Sequence, residues 1–381
     1  MSSLQRSFSK LAEKVLSVDS LQYKYPWTLS QIGNVKLSTI KTHQSLKALS
    51  ILATTFTKDV KVLGQLLKDI DNKLKLEGLS YSIFRDFVNI NLVGDEGIKE
   101  VVQEILKVMK DAQTGKVRHG KSDETVESIL VRSCFELPVV KESQPLFTGE
   151  YYVATNLDIK ESDFLKMDSK VLQPSELNEY KPAMVLVESP SDSCQIALAF
   201  KSPGISSPDY YLFKFFSSFL STDQNLYLDQ SKQFNYLNSL FSGIPGIYSH
   251  SLQYYTGYTT SLLIHTLNTH PFSAAFAAAS TIKATKRACR EIILYELERS
   301  QGNILNSILA NEPIISQCLS RNFDLYSNKP VSDFKDFVIN LNEEYILRAL
   351  SKYFDHQFPS IVLKGQIPSD NAIENIFNIK L

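Results

Sequence analysis

The chain has 381 residues, of which 43% are hydrophobic and 21% are charged, proportions that are typical of globular proteins. Its 40 Lys and Arg side chains nearly balance 41 Asp and Glu, so the net charge of -1 gives no electrostatic reason to expect nucleic acid or an anionic membrane as partner. The 14 Gly residues argue against Gly-rich phosphate loops, and the widely spaced four Cys argue against a disulfide framework or a Cys-type zinc site. We expect reduced, buried thiols.

Residues 1–18 differ from the rest of the chain because they combine basic side chains with apolar ones at helical spacing. Arg6, Lys10 and Lys14 stand against a single acid, Glu13. The apolar stripe consists of Leu4, Phe8, Leu11, Val15 and Leu16. This composition is typical of a mitochondrial presequence, which we predict for residues 1–20, and it equally fits an ordinary N-terminal surface helix. No apolar stretch reaches the roughly 18 residues that span a bilayer, so we expect a soluble or peripheral protein.

The predicted elements after residue 20 follow one pattern that occurs twice. In the first copy, two strand-like runs precede a helix with one apolar stripe, an alternating strand, a second helix and a closing strand. These elements cover residues 31–40, 46–56, 58–76, 81–93, 98–109 and 151–155.

The second copy repeats the order with different lengths. A strand and a turn lead into an apolar helix, a long alternating strand, an Ala-rich helix and a closing strand. The elements cover residues 195–200, 203–208, 210–220, 252–264, the helix from Phe272 onward, and 360–363. The first copy is the shorter one, and the missing length lies between Met109 and Glu150.

The doubled pattern predicts an α+β protein with two related halves, each a mainly antiparallel sheet with helices packed on one face. Pro174, Pro182 and Pro190 lie around the join between the copies. We therefore predict an N-terminal half at residues 21–173, a connection at 174–190 and a C-terminal half at 191–381.

Three segments in this order carry a resemblance to a known family. They are Leu76-Glu77-Gly78 with Ser80 and Arg85-Asp86, residues 196–200 with Ser207-Pro208-Asp209-Tyr210-Tyr211, and Asn311-Glu312-Pro313 through Tyr326 to Pro330 and Leu363. On these segments the chain resembles the pitrilysin and insulinase superfamily of metallopeptidases. Within it, the chain is similar to the mitochondrial branch, formed by the processing-peptidase subunits and the core subunits of ubiquinol–cytochrome c reductase. The resemblance implies the two-half, processing-peptidase-like fold.

The zinc motif of that superfamily is missing here. Active members carry H-x-x-E-H on the first helix, where two His bind zinc and the Glu acts as general base. The corresponding stretch, residues 62–66, reads Val-Leu-Gly-Gln-Leu and offers no zinc ligand. Glu124 and Glu127 lie where the family's distal ligand falls, and we interpret them as surface charges on a helix. His265 lies on an alternating strand and is expected to be a satisfied or exposed strand residue. The resemblance therefore implies an inactive member with no catalytic, cofactor-binding or metal-ligating residue and no cofactor.

For an inactive member, the resemblance implies a structural, core-type subunit of mitochondrial ubiquinol–cytochrome c reductase, complex III. It would lie on the matrix side of the inner membrane, peripheral rather than inserted, beside a second processing-peptidase-like subunit. The alternative is the non-catalytic, substrate-binding subunit of the mitochondrial processing peptidase, which has a long Gly-rich loop early in its second half. Residues 221–235 contain no Gly, which favours the core subunit. We expect partner contacts on the inward faces of the halves and at Tyr254, Tyr255 and Tyr258.

A competing motif lies at residues 115–122, where Gly115 to Ser122 fit the phosphate-binding pattern G-x-x-x-x-G-K-[ST]. Such a loop binds phosphate when it leaves a buried strand and enters a helix. Residues 105–114 instead have an amphipathic helical pattern, and the nearest apolar run, 184–188, ends in Glu rather than in the Asp that would hold magnesium. A solvated basic loop is the ordinary interpretation, and a nucleotide-binding protein that uses Gly115 to Ser122 is the third functional alternative.

Overall fold

The structure is a computed structural model of the chain. Its described residues are 27–41, 46–55, 68, 78–84, 86–94, 98–113, 124–136, 146–158, 179–220, 244–290, 294–310, 314–329, 331–355 and 357–366. The predicted presequence at 1–20, the stretch 62–66, the phosphate-loop match at 115–122 and the Gly-free stretch 221–235 lie outside the described residues. What the sequence predicts for these four segments therefore stays a prediction.

The N-terminal sheet has six strands in the order β1-β2-β6-β3-β5-β4. They are β1 (Thr28–Ile32), β2 (Val35–Thr39), β3 (Lys47–Thr55), β4 (Leu79–Ile83), β5 (Phe87–Gly94) and β6 (Phe147–Thr155). Neighbouring strands are antiparallel except for β2 and β6, which run parallel. Every residue of β3 after Lys47 is buried, so both faces of the sheet centre are covered.

The C-terminal sheet has five strands in the order β7-β11-β8-β10-β9. They are β7 (Met184–Glu188), β8 (Cys194–Pro203), β9 (Ile247–Tyr255), β10 (Thr260–Thr269) and β11 (Ser360–Gly365). Here the parallel pair is β7 and β11, and the other pairs are antiparallel. Because β7 lies inside the predicted connection 174–190, that prediction is corrected at this end: the C-terminal sheet already begins at Met184.

The two sheets repeat one topology. Strands β2, β6, β3, β5 and β4 are joined in the same order and with the same directions as β7, β11, β8, β10 and β9. Strand β1 is an additional edge strand of the N-terminal sheet. The predicted fold class, α+β with two related and mainly antiparallel sheets, is confirmed.

Three stretches predicted as single strands are hairpins. Residues 31–40 contain the β1–β2 turn, where Gly33 adopts a φ of 55°. Residues 81–93 contain the β4–β5 turn, closed by the Phe84 amide donating to the Phe87 carbonyl at 2.9 Å. Residues 252–264 contain the turn between β9 and β10. Alternation has the same period in both arms of a hairpin, so the pattern alone does not locate the turn.

Eight helices complete the described residues. They are α1 (Ile98–Gln113), α2 (Val126–Cys134), α3 (Tyr210–Leu220), α4 (Pro271–Ala288), α5 (Leu294–Ala310), α6 (Ile314–Ser327), α7 (Val331–Asn340) and α8 (Glu343–Phe354). Helix α1 buries Val102 and Ile105 against the N-terminal sheet. Helices α3, α4, α5, α7 and α8 enclose the C-terminal core, where the rings of Phe213 and Phe354 stack 5.6 Å apart. None of the described helices is both long and apolar enough to span a membrane.

The second face of the C-terminal sheet is covered by α2, which comes from the N-terminal half. Ile129, Leu130 and Cys134 of this helix form one buried cluster with Ala197 and Val362 of the sheet.

Burial raises the pKa of the Cys134 thiol to about 11, with the Ser360 hydrogen bond acting in the opposite direction. All four Cys are free and buried, which confirms the prediction of buried thiols.

The second face of the N-terminal sheet is covered by α6, which comes from the C-terminal half. The Asn322 amide on α6 donates to Ser50 Oγ and to Asn89 Oδ1, each at 2.7 Å. Beside this polar contact, the rings of Phe87 and Phe323 lie 5.8 Å apart. Each half thus contributes one helix that covers the other half's sheet. Separating the halves would expose an apolar face of both sheets to water.

Candidate functional site

A groove of about 320 Å³ lies where the two sheets approach each other. One wall is β4, an edge strand of the N-terminal sheet, and the opposite wall is β9, an edge strand of the C-terminal sheet. Helix α2 forms the floor between them. The side chains that matter most for its chemistry are Tyr81, Ser82, Glu127, Val131, Gln253 and Tyr255.

Local sequence fixes the start of α2 and therefore the position of its acidic first turn. Thr125 is the N-cap residue, and its hydroxyl accepts a hydrogen bond from the Ser128 amide at 3.2 Å. Glu127 follows in the first turn, where the helix dipole favours a negative charge. Burial of Val126 and Ile129 holds the opposite side of the helix on the C-terminal sheet.

The two acids that the sequence singled out make different contacts. Glu127 accepts a hydrogen bond from the Thr266 hydroxyl of β10 at 3.1 Å. The Glu124 carboxylate pairs with Arg132 of α2, and only the Glu124 backbone carbonyl reaches the C-terminal sheet, where it accepts from Lys364 of β11. Both acids are partly buried, so the interpretation as plain surface charges is corrected: the Glu127 side chain holds α2 on the other half's sheet, whereas that of Glu124 pairs with Arg132 instead.

The described residues that line the groove offer little to a metal ion. Among the described residues, no group of three or more His, Cys, Asp and Glu side chains could hold a metal ion. Glu127 is the one acid that lines the groove within the described chain, and its carboxylate already accepts from Thr266. One engaged carboxylate without an imidazole is a poor zinc site, since catalytic zinc takes three protein ligands.

The two edge strands make the groove better suited to an extended peptide than to a metal ion. In the described part of the chain, β4 pairs with β5 and β9 pairs with β10, so each strand presents one backbone edge without a strand neighbour. Such an edge can take up an extended peptide through main-chain hydrogen bonds. Ser80 and Ser82 of β4 are the exposed members of that strand's alternation, next to the partly buried Tyr81.

Comparison with known proteins identifies the fold. No protein-family model and no curated protein matches the chain. Its structure is similar to a peptidase M16 inactive domain from Pseudomonas fluorescens, with a TM-score of 0.57, 14% identity and coverage of 91% of this chain and 98% of that one. The chain has the fold of the M16 peptidases.

Two further solved structures are similar to the chain. A chain of complex III2 from Candida albicans, with Inz-5 bound, has a TM-score of 0.59 and 11% identity, and the match covers 93% of this chain and 99% of that one. A protease from Helicobacter pylori has a TM-score of 0.57 and 13% identity, with coverage of 90% and 99%. The resemblance drawn from the sequence is confirmed at the level of the fold.

The tyrosine surface predicted at residues 253–258 is wrong for two of its three members. In this M16 fold the Tyr254 hydroxyl donates to the Pro203 carbonyl at 2.7 Å, and its ring packs against Tyr210. Tyr255 is 2% exposed, whereas Tyr258 is 46% exposed. The end of β9 is covered on both faces although Tyr248, Ser249, Ser251 and Gln253 of the same strand are exposed. Tyr254 packs, partly buried, against the C-terminal core on one face, and Tyr255 is buried with α2 on the other.

Two phenylalanines that the sequence analysis did not single out are more exposed than any of these tyrosines. Phe272 and Phe276 lie one turn apart on the outer face of α4, with 93% and 62% of their surface exposed. The ring of His270, the N-cap residue of α4, stacks on Phe272 at 5.2 Å. Lys283 is exposed on the same helix. An exposed apolar pair of this kind is typical of a surface that contacts another protein.

His265 has a partner inside the protein. Its side chain is buried on β10, and Nε2 lies 3.2 Å from the Thr285 hydroxyl of α4. Burial, with a smaller contribution from His250, lowers the pKa of His265 to about 3, so the ring is neutral near pH 7. The expectation of a satisfied strand histidine is confirmed.

Proposed function

We propose that the chain is a non-catalytic subunit of a protein assembly, specifically a core-type structural subunit of mitochondrial ubiquinol–cytochrome c reductase, complex III. The observation that carries the proposal is that the chain has an M16 fold but lacks the zinc-binding motif of active members. Residues 62–66 supply no ligand in place of H-x-x-E-H, and Glu127, near the expected distal ligand, is used to hold α2 through Thr266. Without its metal, an M16 fold retains its surfaces and its groove.

Three observations support the finer assignment. The structural similarity extends over nearly all of a complex III2 chain. The basic, amphipathic residues 1–20 fit a mitochondrial presequence. The Gly-free stretch 221–235 departs from the substrate-binding subunit of the processing peptidase. The proposed place is the matrix side of the inner membrane, peripheral to the bilayer, with a second processing-peptidase-like subunit as the nearest partner.

The test is affinity purification of the tagged full-length chain from its own cells under mild detergent, followed by protein identification. The proposal predicts recovery of respiratory-complex subunits in stoichiometric amounts. It also predicts no chelator-sensitive peptide hydrolysis by the chain alone. Purification as a single species that carries one zinc per chain, and that loses peptidase activity together with the metal, would contradict it.

A second candidate is the substrate-binding subunit of a processing peptidase, and the groove between β4 and β9 is the observation that favours it. An extended peptide could join either strand edge, and the groove walls offer Tyr81, Gln253 and Tyr255 to its side chains. This candidate predicts co-purification with one H-x-x-E-H protein and without respiratory subunits. The same purification therefore separates the two candidates.

A further inference from the structure

Helices α3, α7 and α8 border a second cavity, of about 490 Å³, which lies open on the surface of the C-terminal half. None of its lining residues belongs to the groove between β4 and β9. Three aromatic rings and two carboxylates dominate its wall: Tyr211, Phe337, Tyr345, Asp333 and Asp336. No role has been assigned above to any of these five side chains.

The rings form a connected wall that the fold holds in place. The centroid of Phe337 lies 5.9 Å from that of Tyr211 and 6.3 Å from that of Tyr345. The Tyr345 hydroxyl reaches the Asp209 carboxylate at 3.5 Å, and the same carboxylate accepts from Tyr353 at 2.6 Å. Burial first, and then Asp209, raise the pKa of Tyr345, so this ring stays a neutral phenol at physiological pH.

Two carboxylates contribute negative charge to the cavity wall. Asp333 and Asp336 are exposed, lie one turn apart on α7, and both line the cavity. Burial, followed by the charges of Asp333 and Asp324, raises the pKa of Tyr211 to about 12. None of the described residues that line the cavity is Lys or Arg.

The same aromatic cluster already has a lysine at its margin. Lys329 Nζ lies 5.0 Å from the centroid of the Tyr211 ring. Lys329 does not line the cavity. Aromatic faces attract cations through their quadrupole, and a guanidinium adds planar stacking and paired hydrogen bonds to a carboxylate.

We propose that this cavity binds a cationic side chain presented by a partner protein, and that an arginine guanidinium fits it best. The planar group lies against the rings of Phe337 and Tyr345 while Asp333 and Asp336 accept its N–H groups. The inference does not depend on the proposed function, because it requires only the cavity and not a particular assembly.

The test is a ligand-observed NMR titration of the full-length chain with three blocked pentapeptides, in which four glycines surround a central arginine, lysine or citrulline. We expect the arginine peptide to bind saturably with a millimolar dissociation constant, and the citrulline peptide, which is isosteric and uncharged, to bind at least about fivefold more weakly. The double variant Asp333→Asn/Asp336→Asn should weaken arginine binding by about fivefold or more. The matched control Glu188→Gln/Asp192→Asn removes two exposed carboxylates elsewhere and should leave binding unchanged.

Three results would overturn the inference. They are equal binding of the arginine and citrulline peptides, wild-type binding by the Asp333→Asn/Asp336→Asn variant, and no saturation of the wild type at about 10 mM arginine peptide. Thermal unfolding of each variant establishes that it is folded. Phe337→Leu provides an independent check, since it keeps the carboxylates and removes the central ring, and it should also weaken binding of the arginine peptide.

Discussion

His265 is a basic side chain that folding moves from water into the C-terminal core. The sequence places it on a strand, because apolar and polar residues alternate around it. Its partner could not be predicted in this way, since Thr285 lies 20 residues further on, and only the packing of α4 on the sheet brings the two together. Periodicity reports which face a residue takes, but not what lies opposite that face.

Burial of His265 makes the stability of the protein depend on pH. Its pKa is about 3 in the folded state against 6.5 as the reference value, so below pH 6.5 the unfolded chain binds a proton that the folded chain does not. Stability should therefore fall between pH 6.5 and pH 3, with a loss of about 2 kcal/mol at pH 5 from this residue. The titratable group that acts on His265 is His250, whose own pKa is also lowered by burial.

The measurement is denaturant unfolding of the wild type, His265→Gln and His250→Gln at pH 7.5 and pH 5. His265→Gln should remove about 2 kcal/mol of the difference between the two pH values. His250→Gln should remove less, because His250 is only partly buried. An unchanged pH dependence in His265→Gln would show that the ring is already protonated, or solvated, in the folded protein.

Among the secondary-structure elements, the sequence predicts the existence of most helices and strands. It does not predict that α2 packs on the C-terminal sheet and α6 on the N-terminal sheet. Both helices have an apolar stripe, which indicates that one side of the helix is buried but does not indicate which surface buries it. Which sheet does so depends on contacts between distant parts of the chain, such as that between Asn322 and Ser50. The absence of zinc ligands at 62–66, in contrast, follows from residue identity alone.

A substitution of Asn322 tests the packing of α6 on the N-terminal sheet. It is fully buried, and its amide bridges Ser50 and Asn89 of the other half. Asn322→Ala should lower the free energy of unfolding by about 1–3 kcal/mol, because it removes two hydrogen bonds from the polar contact between α6 and the N-terminal sheet. Asn303→Ala, on the exposed face of α5, should change it by less than about 0.5 kcal/mol. Equal effects of the two substitutions in chemical denaturation would contradict the role of Asn322 in joining α6 to the N-terminal sheet.

The exposed pair on α4 should serve association rather than stability. Replacing both Phe272 and Phe276 by Ser removes apolar surface from water, so the free energy of unfolding should change by less than about 0.5 kcal/mol per site. Recovery of partner proteins should fall, since buried aromatic anchors supply much of the energy of a protein interface. Pull-downs compare this variant with Lys283→Ser, a polar control on the same helix. Full recovery of partners with the Phe272→Ser/Phe276→Ser variant would show that α4 is not the contact surface.

At the scale of the whole molecule, two related sheets form one interdependent structure. The doubled pattern of the sequence predicts the two halves because each copy has to bury one apolar sheet face under its own helices. The second face of each sheet is covered by a helix from the other half, so neither half retains its full core without the other. The division into halves at 21–173 and 191–381 is a proposal about sequence boundaries, and the C-terminal sheet already begins before residue 191, at Met184.

The proposed role of this M16 fold is that of a non-catalytic member of a larger assembly. The most direct measurement is the native mass of the endogenous chain, obtained by native electrophoresis of gently solubilised membranes with mass spectrometry of each band. We predict that the chain migrates with respiratory-complex subunits at a mass several times its own 43.1 kDa. Migration as a free monomer, unaccompanied by any other protein and active as a peptidase, would contradict the claim.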